Sequence, residues 1–463
     1  MLKRKEVLEL LHRKYIAPTM DKNNLYIGVE IEMPLINLDK APVDFDVVHD
    51  LTKRFKERFG FYTSVLDDEN HESSVVDYAT DDILSYDCSY NNLELSFGKE
   101  QSLNNINDRL TEYYTFIQSV LAKSGHTATG LGVNPYRGYN NNVPIPNGRY
   151  RMLFHHLSSY SDYRVPMFFH PYPNYGMFSS ASQVQLDVKY EDLIDTIKAF
   201  SLLEPIKAIL FSNSVLTGDR EELLCIRDML WENSTHGINP HNVGMFDNIP
   251  ESVDELLEYI ASTSIYCTIQ DGKYINFPPI NVVDYFAQNE VTGEYYDSAS
   301  GVYSGVTFAP RTADLEYLRT FKFVDLTFRG TIEFRSICCQ PMSESLTVAA
   351  FHLGLIKQAA ALAELLESDH VLYHRGYDAS ELRKLFNLRE WPNYVNRDDL
   401  KGLLKQVLDL SAAGLKERGL GEEKYLEPLY ARAGTLKNPA LILLEHTDAG
   451  KDVADIIRDY AVI

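Results

Sequence analysis

Cysteine is scarce and unpatterned: the five present (Cys88, Cys225, Cys267, Cys338, Cys339) are odd in number and scattered over 463 residues. No CxxC pair and no zinc-like Cys/His spacing occurs, so reduced thiols are expected rather than a disulfide framework. Basic residues are also short, 44 against 66 acidic ones, for a formal net charge of −22. Nucleic-acid surfaces need clustered positive charge, which excludes that class of partner. A bound nucleotide is not excluded, because a few local cations suffice for it. No apolar run approaches the ~20 residues that cross a bilayer. The first residues, Met1-Leu2-Lys3-Arg4-Lys5, continue as an amphipathic helix pattern without a signal-type apolar stretch. The expectation is a soluble cytoplasmic protein with no membrane partner.

Apolar residues are plentiful, 45% of the chain, enough to build a well-buried core instead of a disordered chain. The informative feature is where polar residues interrupt them. In Leu25-Tyr26-Ile27-Gly28-Val29-Glu30-Ile31-Glu32, Glu30 and Glu32 share one strand face while Ile27, Val29 and Ile31 share the other. Asn92-Leu93-Glu94-Leu95-Ser96-Phe97 and Ala181-Ser182-Gln183-Val184-Gln185-Leu186-Asp187-Val188 alternate in the same way. In Leu326 to Arg335, read as one strand, Arg329, Glu333 and Arg335 oppose Leu326, Phe328, Ile332 and Phe334. Taken singly, each is an ordinary half-wet strand. Together they are different, because Glu and Gln are poor mid-strand residues and converging carboxylates repel unless cations lie between them. Oxygen donors alone (Glu30, Glu32, Glu94, Glu333, with Gln183 and Gln185) suit Mg²⁺ or Mn²⁺ rather than zinc. Arg329 and Arg335 on the same face are placed to grip phosphate oxygens in a fork. The pattern points to a metal–nucleotide site.

Elsewhere the spacing predicts a short helix over residues 1–17 closed by Pro18, and a helix from Ser102 to Lys123 ending at Gly125. Residues 130–180 read as irregular, and Asp187 as a cap for a helix through 190–212. A helical stretch, 219–232, carries Arg227, and 265–310 read as short strands and a lid. From Ser343 onward the chain is helical by pattern. Asp67, Asp68, Glu69, Glu72, Asp77, Asp81 and Asp82 read as a solvated acidic loop. Arg149 and Arg151, flanking Tyr150, either neutralise a substrate or pair with the acidic surface. His155, His156 and His170 have no partner at ligand spacing, Gly130-Leu131-Gly132 reads as a turn, and Cys338-Cys339 as a buried pair of small side chains. The fold class expected is α+β, an antiparallel sheet with helices outside. Residues 1–340 would be the catalytic unit that binds the nucleotide and metal, and 341–463 a helical region packed on it.

Several of these segments resemble the plant/bacterial-type glutamate–cysteine ligases. They are Gly28 to Glu32, Asn134-Pro135 leading to Pro146 to Met152, Gln183 to Asp187, Phe211 to Ser214 with Arg227 and Trp231, Thr331 to Ser336, and Arg418 to Leu429. The resemblance covers nearly the whole chain. It implies a glutamine-synthetase-like sheet funnel and ATP-dependent joining of the γ-carboxylate of glutamate to the amine of cysteine. It also implies that Glu30, Glu32, Glu94, Gln183 and Glu333 hold metals, that Arg335 with Glu94 and Gln185 serves the nucleotide, and that Arg335, Arg329 and Arg227 are catalytic. Arg227, Arg149 and Tyr150 would contact substrate. The implied partners are small molecules, with a monomer or small homo-oligomer as the assembly. Two positions depart from the family pattern. Cys338 stands where a carboxylate is usual, and His241 lies in a segment that usually carries an arginine. Two alternatives therefore stand beside the expectation: the same chemistry with another amine, and a catalytically silent relative that binds a nucleotide or amino acid.

Overall fold

The computed structural model describes residues 1–463. Its centre is a nine-stranded sheet formed by β1 (Ile27–Asn37), β2 (Tyr62–Leu66), β3 (Glu72–Val76), β4 (Ile83–Tyr86), β5 (Asn92–Glu100), β6 (His126–Ala128), β7 (Ser182–Asp187) and two further strands, Val324–Leu326 and Thr331–Phe334. Every pairing in it is antiparallel. The spatial order runs Val324–Leu326, Thr331–Phe334, β7, β1, β5, β4, β3, β2, with β6 on β1. The four strands singled out by alternation are thus consecutive neighbours.

One face of this sheet closes a core of 87 buried apolar residues, to which the C-terminal helices also contribute. Ile27, Val29 and Ile31 of β1, Val184 and Leu186 of β7, and Ile332 and Phe334 all point into it. At ~25 cal/mol per Å² buried, this apolar face is what tolerates the charges on the other. The helix Leu103–Leu121 covers part of the core, started by Ser102, whose hydroxyl accepts from Asn104 N at 3.2 Å. It is closed at Gly125 (φ 70°), as its spacing predicted. A separate four-stranded antiparallel sheet spans Ser264–Gln270, Lys273–Asn281, Val291–Asp297 and Val302–Phe308. Helices dominate beyond Met342, as expected.

Some expectations need correction. The helix at the start is α-helical only over Arg4–Leu11, and Pro18 lies inside a following 3₁₀ turn, a first-turn position that needs no N–H. The segment 130–180 contains a helix, Gly148–Ser158, whose cap Asn147 accepts from Tyr150 N at 2.9 Å. Asp187 ends β7, where it accepts from Tyr26 N at 3.3 Å and pairs with Lys22, so it caps no helix. The following helical stretch is two helices, Leu193–Leu202 and Glu204–Phe211, because Pro205 begins a new first turn. Only Ile226–Glu232 of 219–232 is helical. The acidic segment is not simply solvated. Asp67 and Asp82 are buried, the latter accepting from Arg109 Nε at 2.7 Å, Tyr113 Oη at 3.1 Å and Gly98 N at 3.1 Å. No single helix is long and apolar enough to cross a membrane.

Candidate active site

Register decides which side chains meet. Glu32 of β1 lies directly opposite Glu94 of β5, Glu30 opposite Gln183 of β7, and Gln185 of β7 opposite Glu333. Like charges directly opposite are destabilising in a sheet, so this face is not arranged for stability. Glu32, Gln183 and Glu333 are buried, whereas Glu30, Glu94 and Gln185 are half-buried.

The two glutamines each bridge an arginine to a glutamate. Gln183 donates from Nε2 to Glu32 at 2.7 Å, while its Oε1 accepts from Arg335 Nη1 at 3.0 Å. Gln185 donates to Glu333 at 2.9 Å and to Glu30 at 3.3 Å, and accepts from Arg329 Nη1 at 3.0 Å. Arg335 also donates from Nε to Glu333 at 2.7 Å. An amide is the side chain suited to this, since it offers both a donor and an acceptor.

Arg329 reaches this network from a different place than its alternation suggested. Residues 327–330 form a turn between the last two strands, with Gly330 N donating to Thr327 O at 3.1 Å. Gly330 has φ 69°, and a Cβ there would lie 2.6 Å from Pro18 O, so the turn demands glycine. Arg329 therefore projects from an exposed turn, not from a strand.

Asp87, just past β4, joins the cluster and was not foreseen. It stands close enough to Glu32 and Glu94 to raise the pKa of both. An aspartate in a hairpin turn looks like an ordinary turn former, and its seven-residue lead over Glu94 means nothing until the hairpin closes. Burial, then Glu94 and Glu333, push the Glu30 carboxyl up to about 8. Burial and Asp87 push Glu94 up to about 7. Glu32 is held well above the ordinary range by burial, then Asp87 and Glu94. The chain's own arginines leave a surplus of negative charge on an all-oxygen face. That donor set fits hard divalent cations.

The remaining candidates gather at the edges. Arg227, in the first turn of its helix, is buried beside Glu32, and its Nε has no hydrogen-bond partner. Arg149 lies with its guanidinium 5.2 Å from the Tyr150 ring, and its charge acts on Asp87 and Glu94. Tyr150 is fixed by donating to Tyr86 O at 3.1 Å. Arg151 pairs instead with Asp68, its guanidinium 4.7 Å from the Tyr296 ring.

A model of glutamate-cysteine ligase family 2 (GCS2) matches residues 26–455. The chain belongs to this family. It is 23% identical over 378 residues to the chloroplastic glutamate–cysteine ligase of Nicotiana tabacum, covering 79% of this chain and 66% of the tobacco protein. To the chloroplastic glutamate–cysteine ligase B of Oryza sativa subsp. japonica it is 22% identical over 431 residues, covering 91% and 80%. Its fold is that of the bifunctional glutathione synthetase from Pasteurella multocida, at 11% identity and a TM-score of 0.51. That likeness covers 98% of this chain and 53% of the bacterial one. The chain thus spans just under two thirds of the tobacco protein's length and about half of the bacterial one's.

Within this GCS2 member the two departures take different places. Cys338 is buried beside Arg227, with its Sγ 3.5 Å from Cys225 Sγ and 3.2 Å from Ser214 Oγ. His241 is not brought to the carboxylate face. It sits against Tyr259, with Nδ1 2.5 Å from Ser262 Oγ and Nε2 3.4 Å from Asp247.

Proposed function

We propose that the chain is an ATP-dependent carboxylate–amine ligase, joining the γ-carboxylate of glutamate to the amine of cysteine with release of ADP and phosphate. The observation that carries this reading is the single sheet face on which Glu30, Glu32 and Glu333 meet Arg329 and Arg335 through the bridging amides of Gln183 and Gln185, with Glu94 and Asp87 beside them. Glu30, Glu32, Glu94 and Glu333 would hold Mg²⁺ or Mn²⁺, with Gln183 and Asp87 beside them. Bound there, the cations neutralise charge on the phosphates and the attacking carboxylate.

The chain's own groups supply the rest. A γ-carboxylate oxygen attacks the γ-phosphorus, the bond from that phosphorus to the β-phosphate oxygen breaks, and ADP leaves. The amine nitrogen then attacks the acyl carbon, loses a proton and expels phosphate, which keeps the oxygen that came from glutamate. Arg335, partly exposed at 29% of its side chain, and Arg329 on its exposed turn offer planar forks to the phosphoryl oxygens. Arg227, with an unpaired Nε in a buried place, suits a substrate α-carboxylate. Arg149, whose charge acts on Asp87 and Glu94, and Tyr150 beside it would contact substrate.

An amine panel tests the acceptor. ADP release is measured with glutamate, Mg²⁺-ATP and cysteine or other amines, and the product is identified by mass. Stimulation by cysteine supports the reading, whereas stimulation by a different amine alone would replace cysteine. Cys338, where a carboxylate is usual, is the position that favours running the whole panel.

A further inference from the structure

A second cluster of metal-binding side chains lies apart from the carboxylate face and shares no residue with it. His49 is on the helix Phe45–Phe59, and Asp67 and His71 bracket the turn between β2 and β3. One ligand atom from each lies within 4.8 Å of the others. The two imidazole rings stack at 3.8 Å between centroids and 12° between planes, an arrangement open to neutral rings but not to two imidazolium ions. His49 Nε2 and His71 Nδ1 are buried and have no hydrogen-bond partner. Two unpaired ring nitrogens beside a buried carboxylate cost stability unless something accepts their lone pairs.

The carboxylate is prepared for the same task. Asp67 Oδ1 accepts from Glu69 N at 2.9 Å and His71 N at 2.8 Å, and Oδ2 accepts from Tyr90 Oη at 2.7 Å. Each carboxylate oxygen has two lone pairs, so Oδ2 retains one. Outer hydrogen bonds of this kind orient and tune a ligating carboxylate. His71 Nδ1 stands 3.5 Å from Asp67 Oδ2, close to the roughly 3.4 Å edge of a tetrahedron with zinc-type bonds of ~2.0–2.1 Å. Glu69 Oε2, 3.9 Å from His71 Nδ1, is within reach of a fourth position that water could also fill.

We propose that His49, Asp67 and His71 form a binding site for one divalent transition-metal ion of the zinc class. Two imidazoles and a carboxylate favour such an ion over Mg²⁺. It would tie the helix to the β2–β3 hairpin at a structurally connected place. Asp68 N donates to Pro146 O at 2.8 Å, and Asp68 pairs with Arg151 on the helix that carries Arg149 and Tyr150.

The test uses the full chain, stripped by chelator and titrated with Co²⁺ under excess Mg²⁺, which occupies the carboxylate face. The expected result is one Co²⁺ with the intense visible absorption of tetrahedral coordination, displaced by Zn²⁺, and a melting temperature raised by Zn²⁺. His71→Asn should weaken binding at least tenfold, and so should His49→Gln, while Glu30→Gln should leave it unchanged. His71 is 38% exposed, so its replacement spares the fold and decides the matter even if His49→Gln fails to fold. Equal Co²⁺ binding by His71→Asn and the parent chain, or no tetrahedral spectrum, would overturn the site. Either outcome leaves the ligase reading untouched.

Discussion

Arg335 donates from Nε to Glu333, two residues back on the same strand face, at 2.7 Å. The pair fixes the guanidinium plane, and Nη1 is held in turn by Gln183. A lysine would keep the charge but lose both the plane and one of these bonds. Arg335→Lys should therefore lower kcat/KM for ATP at least about tenfold, or ~1.4 kcal/mol of transition-state stabilisation. A loss below about threefold would count against its phosphate role.

Glu30→Gln and Glu333→Gln should each abolish turnover while circular dichroism shows an unchanged fold. Without metal, Glu30→Gln should also melt at a higher temperature than the parent. Burial and the facing Glu94 and Glu333 make the parent carboxyl take up a proton on folding at neutral pH, a cost the amide does not carry. Near-parental turnover in either variant would make the metal assignment wrong.

Stability of the metal-free chain should fall as pH rises. Glu30, at about 8 in the folded chain, holds a proton that its unfolded counterpart has released above its ordinary value of 4.5. The native state thus binds more protons between those values, so the slope of unfolding free energy against pH is negative there. Glu94, at about 7, acts in the same sense. Urea titrations with chelator should lose a few kcal/mol from pH 5 to about 8. Saturating Mg²⁺ should flatten the curve. A chelated chain whose stability rose across that window would contradict the crowding of these carboxylates.

The four-strand constellation was legible because alternation is a property of single strands. Which glutamate faces which glutamine was not, since register is set by pairings between strands more than a hundred residues apart, as between Glu30 and Gln183. Arg329 illustrates a local miss. The alternation from Leu326 to Arg335 runs straight through a glycine turn, and only the contact of Gly330 with Pro18 O shows why the strand must break there. Asp87 and the helix around Arg149 went unseen for a related reason: a turn aspartate and a short capped helix carry weak apolar periodicity. The C-terminal helices were legible from their spacing, but their link to the site was not.

That link is Arg383, in the helix Ala379–Phe386. It donates to Asp228 at 2.8 and 2.9 Å and to Glu204 at 2.8 Å, all buried. Asp228 is the neighbour of Arg227, so the C-terminal region anchors the helix that presents a candidate substrate arginine. Arg383→Met should destabilise the chain by about 3–5 kcal/mol, because it leaves the buried Asp228 carboxylate without its cationic partner, while Glu204 keeps Lys207 at 2.6 Å. Denaturant unfolding measures this, and a change under about 1 kcal/mol would remove Arg383 from that role.

The most direct test follows one oxygen atom. Glutamate carrying oxygen-18 in its γ-carboxylate is turned over with Mg²⁺-ATP and cysteine, and the released phosphate is analysed by mass spectrometry. Passage through an acyl phosphate predicts one labelled oxygen in phosphate for each amide bond formed. Amide formation with unlabelled phosphate would contradict carboxylate attack on the γ-phosphorus, and with it the role assigned to this sheet face.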